Sequence, residues 1–428
     1  MVDILVHITF EDGKRIRCAK LSCPEPGDRR GATFQYDPEY LKNPKAHALD
    51  PVKLPLESGP TPVRTPSGFP QAIQDSLPDR FGMGLLKQRA RQNRLRPDEV
   101  PAHLLIAMGN GAMGALDFQP CKGKRLKGPP GCGLPQAQIR EIAQAAIDYD
   151  AGRPLSNSQF QCLLDASTAP GGARPKALVQ DENGKLYLAK FSRDDDRMDI
   201  VRLEAASLTV ATWAGLPVPE HKIVSAGRHT ILMVERFDRT GANLQGHRHR
   251  ISFDTLLRNR DDEAPREGYG DIAEAIRDWS AQPHTDIEHL YRLMCLNVLV
   301  GNTDDHLRNF SLIRKDGGWR LSPVYDVLPY HHERLAHSIL LPGNPPTNRP
   351  PEENTLSTLV DMGRQMRIPK AKAIVEQVSK AASRWQEACA LHGVPNIQAA
   401  LTGRYIQQRR GDNNPSQGDE EEIRPTPR

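Results

Sequence analysis

The stretch GNTDDHLRNFSLIRKDGGWRLSPVYDVLP, residues 301–329, places an acidic loop directly after the apolar run LMCLNVLVG, residues 293–301. The apolar run predicts a buried helix that ends at its glycine, because glycine is common where a helix stops. Further along, FSLI (310–313) and WRLSPVY (319–325) predict two strands around the turn KDGG. The pattern therefore predicts a rigid polar loop that a buried helix holds at the floor of a cleft.

The two strands of this hairpin also predict a metal site. The midpoint of residues 309 and 326 falls inside the turn, so an antiparallel ladder would place Asn309 and Asp326 side by side at its open end. Facing residues in such a ladder lie about 4.5 to 5.5 Å apart. Because a carboxylate and an amide oxygen suit a hard cation, Asn309 and Asp326 are predicted to bind Mg²⁺.

The spacing of Asp304 and Asn309 is that of the aspartate and asparagine in the catalytic loop of kinases. In that arrangement the aspartate accepts or orients the proton of the attacking hydroxyl, which makes Asp304 the candidate catalytic residue. Two alternatives stay open: a helix end that runs into a solvated loop, and a metallohydrolase that uses Asp304, Asp305 and His306 as ligands. Asp305 is expected to face solvent, and His306 either orients the loop or caps a helix.

A nucleotide site needs cationic groups and a close approach of the backbone to phosphate. The stretch PGGARPK, residues 170–176, offers both before a strand, although a plain turn also explains so short a glycine loop. Lys190 lies late in the next strand, where we expect it to contact the α- and β-phosphates. Glu204 on the following helix either pairs with Lys190 or faces solvent. The predicted nucleotide-binding residues of the glycine loop are Gly171, Gly172, Ala173, Arg174 and Lys176.

The stretch VERFDR, residues 234–239, changes from apolar to charged where a strand ends. This is the character of a hinge between two lobes, whose backbone can hydrogen-bond the edge of an adenine. Glu235 and Phe237 are therefore candidate nucleotide-binding residues, together with His306 of the acidic loop.

Length and composition describe an ordinary chain of 428 residues, enough for two or three domains. The 57 Lys and Arg residues against 53 Asp and Glu residues give a net charge of +4, which does not by itself indicate nucleic-acid binding. Seven cysteines without a CxxC pair predict free thiols and a cytoplasmic protein. No apolar run approaches the roughly 18 residues that span a bilayer, so no membrane contact is expected.

The order of the predicted elements divides the chain into units. A small α+β module comes first, with a helix over 70–95 and a strand, an Asn-Gly turn and a strand over 103–120. The basic stretch 121–133 is rich in Gly and Pro and is expected to be a linker. The predicted units are 1–120, an N-terminal subdomain; 121–240, a β-rich nucleotide-binding lobe; 241–410, a helical catalytic lobe; and 411–428, a disordered tail poor in apolar residues.

Several of these motifs occur together in one known family. The most specific is GNTDDHLRNFSL followed by WRLSPVYDVLP, which resembles the HipA-type toxin kinases of bacterial toxin–antitoxin systems. The resemblance runs from about residue 5 to residue 390. The other motifs that carry it are FQYDPEYL, SLPDRFG, GALDF, PGGARPKA, LAKF and ERFDR.

The resemblance implies an α+β, bilobal protein-kinase-like fold, with an N-terminal β-rich subdomain and a mostly helical C-terminal lobe. It implies phosphorylation of protein serine or threonine with ATP and Mg²⁺, in which Asp304 is catalytic. Asn309 and Asp326 would then bind the metal, and Lys190 would bind phosphate. Well-known members phosphorylate an aminoacyl-tRNA synthetase, which halts translation and causes growth arrest or persistence. The implied partner is a HipB-like helix-turn-helix antitoxin, through which operator DNA is contacted only indirectly.

One position departs from the family pattern. Members often carry a serine just before the glycine loop, where autophosphorylation ejects the loop and switches the kinase off. Ala169 stands at that place here, so any modification of this loop is predicted to fall on Ser167 or Thr168. Two rival functions stay open: a catalytically silent co-repressor scaffold that binds an antitoxin, and a kinase for a small molecule, because a fold does not fix the substrate.

Overall fold

The computed structural model of the chain shows an α+β protein. It describes residues 1–28, 31–65, 67–109, 111–123, 126, 133–166, 174–241, 244–257, 267–330 and 335–412. Most of the predicted tail lies outside these residues, as do five predicted site residues, Ser167, Thr168, Gly171, Gly172 and Ala173. Within the described ranges, no helix is long and apolar enough to cross a membrane.

The N-terminal module is built on one antiparallel sheet. Its strands are β1 (Val2–Thr9), β2 (Arg15–Cys23), β3 (Ala32–Tyr36), β4 (Pro60–Val63) and β5 (Leu116–Pro120), and its helices are α1 (Pro38–Leu41), α2 (Gln71–Gln74), α3 (Arg80–Gln92) and α4 (Ala102–Met108). The strand order across the sheet is β4-β3-β2-β1-β5. Alternate residues of β1, namely Ile4, Val6 and Ile8, are fully buried because successive side chains of a strand point to opposite faces.

Two helical segments of this module differ from the sequence prediction. Ala102–Met108 is a helix and not the predicted strand, whereas β5 forms where a strand is predicted. Six of the seven residues of helix α4 are buried. An apolar run without a polar face has no hydrophobic periodicity that would distinguish a helix from a strand. The residues predicted to be helical over 70–95 form two helices, since Pro78 between them lacks the amide that a continuous helix needs.

The next part of the chain forms a second sheet, which makes one wall of a cleft. Its strands are β6 (Leu134–Pro135), β7 (Lys176–Gln180), β8 (Leu186–Phe191), β9 (His221–Ala226) and β10 (His229–Glu235), and its helices are α5 (Ile139–Asp150), α6 (Asn157–Ala166) and α7 (Ile200–Trp213). The strand order is β6-β7-β8-β10-β9. The β7–β8 hairpin confirms the two strands predicted after the glycine loop, and its register places Lys176 opposite Lys190.

The remainder of the chain is mostly helical, as predicted, and carries the acidic loop. Its strands are β11 (Arg239–Thr240), β12 (Gly246–His247), β13 (Arg250–Ser252), β14 (Ser311–Lys315) and β15 (Gly318–Leu321), and its helices are α8 (Phe253–Leu257), α9 (Tyr269–Trp279), α10 (Pro283–Val300), α11 (Leu356–Gln365), α12 (Ala371–Ala382), α13 (Trp385–His392) and α14 (Asn396–Arg410). Helix α10 is the predicted buried helix, in which Leu290, Met294 and Leu299 are fully buried. It ends at Gly301, whose φ of +77° is a left-handed conformation that glycine adopts without steric cost.

Candidate active site

One cavity of about 920 Å³ opens between the N-terminal module, the second sheet and the acidic loop. Each of the three parts supplies a wall, and Asp79 and Arg80 are among the residues that the N-terminal module contributes. The volume lies within the range of sites that bind small molecules and cofactors. The predicted site residues that line the cavity are Arg174, Lys176, Lys190, Glu235, Phe237, Asp304, His306, Asn309 and Asp326.

Lys190 on β8 forms the central ion pairs of the cavity. Its Nζ atom lies 2.6 Å from Glu204 Oε1 and 2.7 Å from Asp326 Oδ1. Of the two alternatives for Glu204 on α7, the structure shows the pairing with Lys190 and not a solvent-facing side chain. Burial disfavours the charged form of Asp326, but the attraction of Lys190 and Lys176 outweighs it and lowers the pKa of Asp326 to about 2. Asp326 is therefore ionised near neutral pH and able to bind a cation.

Lys176 is a second cation in the same cavity. It is only 4% exposed, and burial lowers its pKa to about 8 despite the attraction of Asp326. Among the described residues, its amine has no hydrogen bond or ion pair, which leaves it available to an anion such as phosphate. Arg174 differs, because both of its terminal nitrogens bind the Asp196 carboxylate at 2.7 Å.

The acidic loop presents Asp304 at the floor of the cavity, with its side chain about half exposed. The side-chain amide of Asn309 donates to the Asp304 carbonyl at 2.8 Å, so the loop closes on itself and the Asn309 amide oxygen is the atom left for a cation. Nε2 of His306 lies 4.0 Å from Asp304 Oδ1, and the Tyr330 hydroxyl donates to Asp304 Oδ2 at 3.3 Å. Partial burial raises the pKa of Asp304, and the negative charge of Asp326 adds to the shift.

The β14–β15 hairpin forms as predicted, but its ladder is shorter than expected. Its last pair is Leu312 with Leu321, after which the chain leaves the regular strand. The prediction that Asn309 and Asp326 face each other within the ladder is therefore wrong, although both line the cavity. Asp326 has a φ of +61°, a left-handed conformation that costs a residue other than glycine about 1–3 kcal/mol. Such strain is concentrated at functional sites, which supports a role for Asp326 in the cavity.

Asp305 is buried behind the loop, and the expectation that it faces solvent is wrong. Its carboxylate accepts hydrogen bonds from the Tyr269 hydroxyl at 2.7 Å, from Nδ1 of His337 at 2.8 Å and from the Ser338 backbone amide at 2.8 Å. Asp305 thus anchors the loop from behind and does not join the proposed metallohydrolase ligand set. Across the described ranges, no group of three or more His, Cys, Asp or Glu side chains could hold a metal ion.

The predicted hinge lines the cavity at the end of β10. The ring of Phe237 stacks on that of Tyr325, with 5.7 Å between the centroids and 25° between the planes. Behind this pair, Asp238 is buried between Arg236 and Arg239 and accepts a backbone amide of the N-terminal module at 2.7 Å. The hinge is therefore fastened to the N-terminal module, a link that no local sequence pattern indicates.

The protein has a two-lobed, kinase-like fold of the α+β class, as the sequence predicts. Two family models match the chain, the HipA-like C-terminal domain over residues 168–385 and the HipA N-terminal domain over residues 24–119. The chain belongs to the HipA family. Its structure is similar to that of HipA from the toxin–antitoxin system of Shewanella oneidensis MR-1, solved with HipB and operator DNA. The TM-score is 0.66 at 18% identity, over 95% of this chain and 96% of that one.

Two curated relatives share part of the sequence. "Putative kinase Y4mE" of Sinorhizobium fredii is 28% identical over 242 residues, which are 53% of this chain and 56% of that protein. A protein of Haemophilus influenzae named "Putative kinase" is 31% identical over 143 residues, which are 30% of this chain and 41% of that protein. The chain thus spans about half the length of the curated relatives it matches.

Proposed function

We propose that this chain is a kinase that transfers the γ-phosphoryl group of ATP, with Mg²⁺, to a serine or threonine hydroxyl of a protein. The observation that carries the proposal is the convergence of Asp304, Asn309, Asp326 and the Lys190–Glu204 pair in one cavity. Phosphoryl transfer depends mainly on positioning and on charge neutralisation, and these groups can supply both. Membership of the HipA family and the names of the two relatives support the same activity.

The side chains present suit a magnesium nucleotide. Asp326 and Asn309 offer the carboxylate and amide oxygens that Mg²⁺ prefers, and Lys190 and Lys176 offer cationic groups for phosphate oxygens. When bound, Mg²⁺ supplies the charge that neutralises the phosphates. The Phe237 ring offers an aromatic surface at the hinge, where a base can pack.

Asp304 is the proposed acceptor of the proton that leaves the attacking hydroxyl. Its raised pKa makes it a stronger base than an ordinary aspartate, and its half-exposed side chain is open to an incoming hydroxyl. The buried hydrogen bonds of Asp305 restrict the loop, so that Asp304 keeps one position relative to the cavity.

We further propose that the kinase is the toxin of a toxin–antitoxin system. Support comes from the family and from the similar Shewanella protein, which was solved with HipB and operator DNA. The proposed partner is a HipB-like helix-turn-helix antitoxin, with DNA contacted through it, which agrees with a net charge of only +4. The proposed acceptor is a translation component such as an aminoacyl-tRNA synthetase, whose phosphorylation would arrest growth.

The proposal is tested by phosphate transfer from labelled Mg-ATP to proteins of a bacterial lysate. Asp304→Asn keeps the shape of the side chain and removes the base, so we expect transfer to fall by about 10²- to 10⁴-fold. Asp316→Asn, in the exposed turn of the β14–β15 hairpin, is the matched control and should transfer at the wild-type rate. Equal rates for the wild type and Asp304→Asn would contradict the proposal. Nucleotide binding without transfer would support a silent scaffold, and label confined to small molecules would support a small-molecule kinase.

A further inference from the structure

Tyr330 places a hydroxyl group at the candidate catalytic carboxylate. Its Oη atom donates to Asp304 Oδ2 at 3.3 Å, and its backbone amide donates to the Gly301 carbonyl at 2.9 Å. Within the described part of the chain, this is the only hydrogen bond that the Asp304 carboxylate accepts. The backbone contact fixes the residue beside the start of the acidic loop, so the hydroxyl position does not depend on the side chain alone.

The second tyrosine among the described lining residues has a different role. The Tyr325 hydroxyl donates to the Arg308 carbonyl at 3.0 Å and lies 3.1 Å from Ser311 Oγ, so its contacts support the loop backbone. Of the two tyrosine hydroxyls, that of Tyr330 is within hydrogen-bond reach of the group that, under the proposed function, takes the proton from a phosphate acceptor. Tyr330 therefore occupies the place that an acceptor hydroxyl must reach.

We propose that Tyr330 is an internal phosphate acceptor of this chain, a role that rests on the proposed kinase function. The phenol oxygen forms a bond to the γ-phosphorus of ATP, and the bond between that phosphorus and the β–γ bridging oxygen breaks. The phenol proton passes to Asp304. Phosphotyrosine and ADP are the products, so no reactant is needed beyond the nucleotide.

Phosphorylation would change the acceptor position itself. A phosphate group adds about −1.5 to −2 charges, and the carboxylates of Asp304 and Asp326 would repel it. The guanidinium of Arg174 is already paired with both carboxylate oxygens of Asp196, so it is not free to bind this phosphate. We therefore expect phosphorylated Tyr330 to leave Asp304, which opens the position to a protein hydroxyl.

The experiment is site mapping by mass spectrometry after incubation of the full-length protein with Mg-ATP. The wild type should gain phosphate on Tyr330, Asp304→Asn should gain none, and Tyr330→Phe should lose that site alone. Tyr149→Phe, on α5 outside the cavity, is the matched control and should keep the label on Tyr330. Because the acceptor is in the same molecule, the labelled fraction should rise at a rate that a tenfold dilution does not change.

A mixing experiment separates transfer within one molecule from transfer between molecules. Tyr330→Phe retains the base and lacks the acceptor, whereas Asp304→Asn retains the acceptor and lacks the base. Incubated together with Mg-ATP, the pair should leave Tyr330 of the Asp304→Asn protein unlabelled. Label on that tyrosine would overturn the proposal of an internal acceptor.

The outcomes also separate this inference from the proposed function. If the wild type phosphorylates lysate proteins, or Ser167 or Thr168, while Tyr330 stays unmodified, the inference is overturned and the kinase function stands. If the wild type phosphorylates nothing and Asp304→Asn behaves identically, both are overturned.

Discussion

The ammonium group of Lys190 lies between two carboxylates and is largely withdrawn from water. Its side chain is 15% exposed, and that of its partner Glu204 is 7% exposed. A buried ion pair contributes little compared with apolar groups of the same volume, yet the loss of one partner leaves an uncompensated charge. A substitution of Lys190 should therefore affect the stability of the fold as well as the binding of phosphate.

Lys190→Met is expected to lower the free energy of unfolding by about 3–5 kcal/mol, because Glu204 would be buried without its partner. Unfolding in urea, followed by circular dichroism, measures this change. Lys185→Met is the matched control, since Lys185 pairs with Glu220 at 2.6 Å on the exposed surface and should cost less than about 1 kcal/mol. The double change Lys190→Met with Glu204→Met should recover part of the loss. Similar destabilisation in Lys190→Met and Lys185→Met would contradict this account.

For single residues, the sequence indicates which side chains share the candidate site but not which contacts hold each of them in place. The Asp304-to-Asn309 spacing, the paired strands around KDGG and the lysine late in its strand predict a common site for Asp304, Asn309, Asp326 and Lys190, and all four line one cavity. Burial of Asp305 could not be predicted, because its partners Tyr269 and His337 are remote in sequence and a lone aspartate in a polar loop is ordinarily solvated. The sequence feature that could have indicated this burial is the presence of Tyr269 and His337, to which no sequence motif assigns another role.

Contacts with residues outside the acidic loop hold it in place as an element. Helix α10 stops at Gly301, and the Tyr330 amide binds the Gly301 carbonyl. Nδ1 of His337 lies 2.8 Å from Asp305, while its Nε2 atom has no hydrogen-bond partner among the described residues. The contribution of His337 to the loop is therefore one donated hydrogen bond from Nδ1, in the tautomer that the carboxylate favours.

His337→Asn places an amide donor near the position of Nδ1, whereas His337→Leu fills the space without a donor. We expect His337→Leu to cost about 1.5–3 kcal/mol, the usual range for a hydrogen bond to a charged group, and His337→Asn to cost about half as much. Amide hydrogen exchange at Ser338 is the direct measurement, since this amide donates to the same carboxylate. Exchange should accelerate about tenfold or more in His337→Leu. Identical exchange in both variants would show that packing, and not the hydrogen bond, sets the loop.

The sequence predicts the type of secondary structure correctly where the hydrophobic residues have a clear periodicity. It does not do so for apolar runs that lack one. The β7 and β8 strands flank a turn with strong local preference, and α7 has a helical pattern that ends at glycine. The sequence of helix α4 predicts a strand because its apolar residues leave no polar face, and in the structure six of its seven residues are buried. Tertiary burial, and not local propensity, decides such a segment.

At the scale of the whole molecule, the N-terminal module is docked against both other parts of the chain. Asp238 in the hinge accepts the Gly114 amide at 2.7 Å, and Asp75 accepts the backbone amide of Ser252 at 2.7 Å. These partners lie 124 and 177 residues apart, so no local pattern could reveal them. The unit boundaries near residues 120 and 240 stay a prediction, but the contacts show why the module forms a wall of the cavity.

Two buried histidines lie in this docking surface. Nε2 of His249 lies 3.0 Å from the Leu49 carbonyl, and its ring centroid is 5.7 Å from that of His47 in the N-terminal module. Burial lowers the pKa of His47 to about 3 and that of His249 to about 4, and nearby Arg314 adds to both shifts. Both imidazoles are therefore neutral in the folded protein at pH 5, while the unfolded chain takes up protons as the pH falls below about 6.5.

This difference in proton binding predicts that acid weakens the folded state in a defined window. Between pH 6.5 and about pH 4 the unfolded state binds more protons, so stability falls by about 1.4 kcal/mol per pH unit for each histidine, or about 4 kcal/mol for both at pH 5.

The double variant His47→Asn with His249→Gln keeps a donor near Nδ1 of the first ring and near Nε2 of the second, and neither new side chain can titrate. Urea unfolding at pH 7 and pH 5 should therefore show a loss about 4 kcal/mol smaller in the double variant than in the wild type. The loss that remains belongs to the carboxylates and to other histidines whose pKa burial lowers, among them His247 and His392. The exposed His284→Gln is the control and should lose as much as the wild type. If the double variant lost as much stability on acidification as the wild type, the histidines would not be the groups that link docking of the N-terminal module to pH.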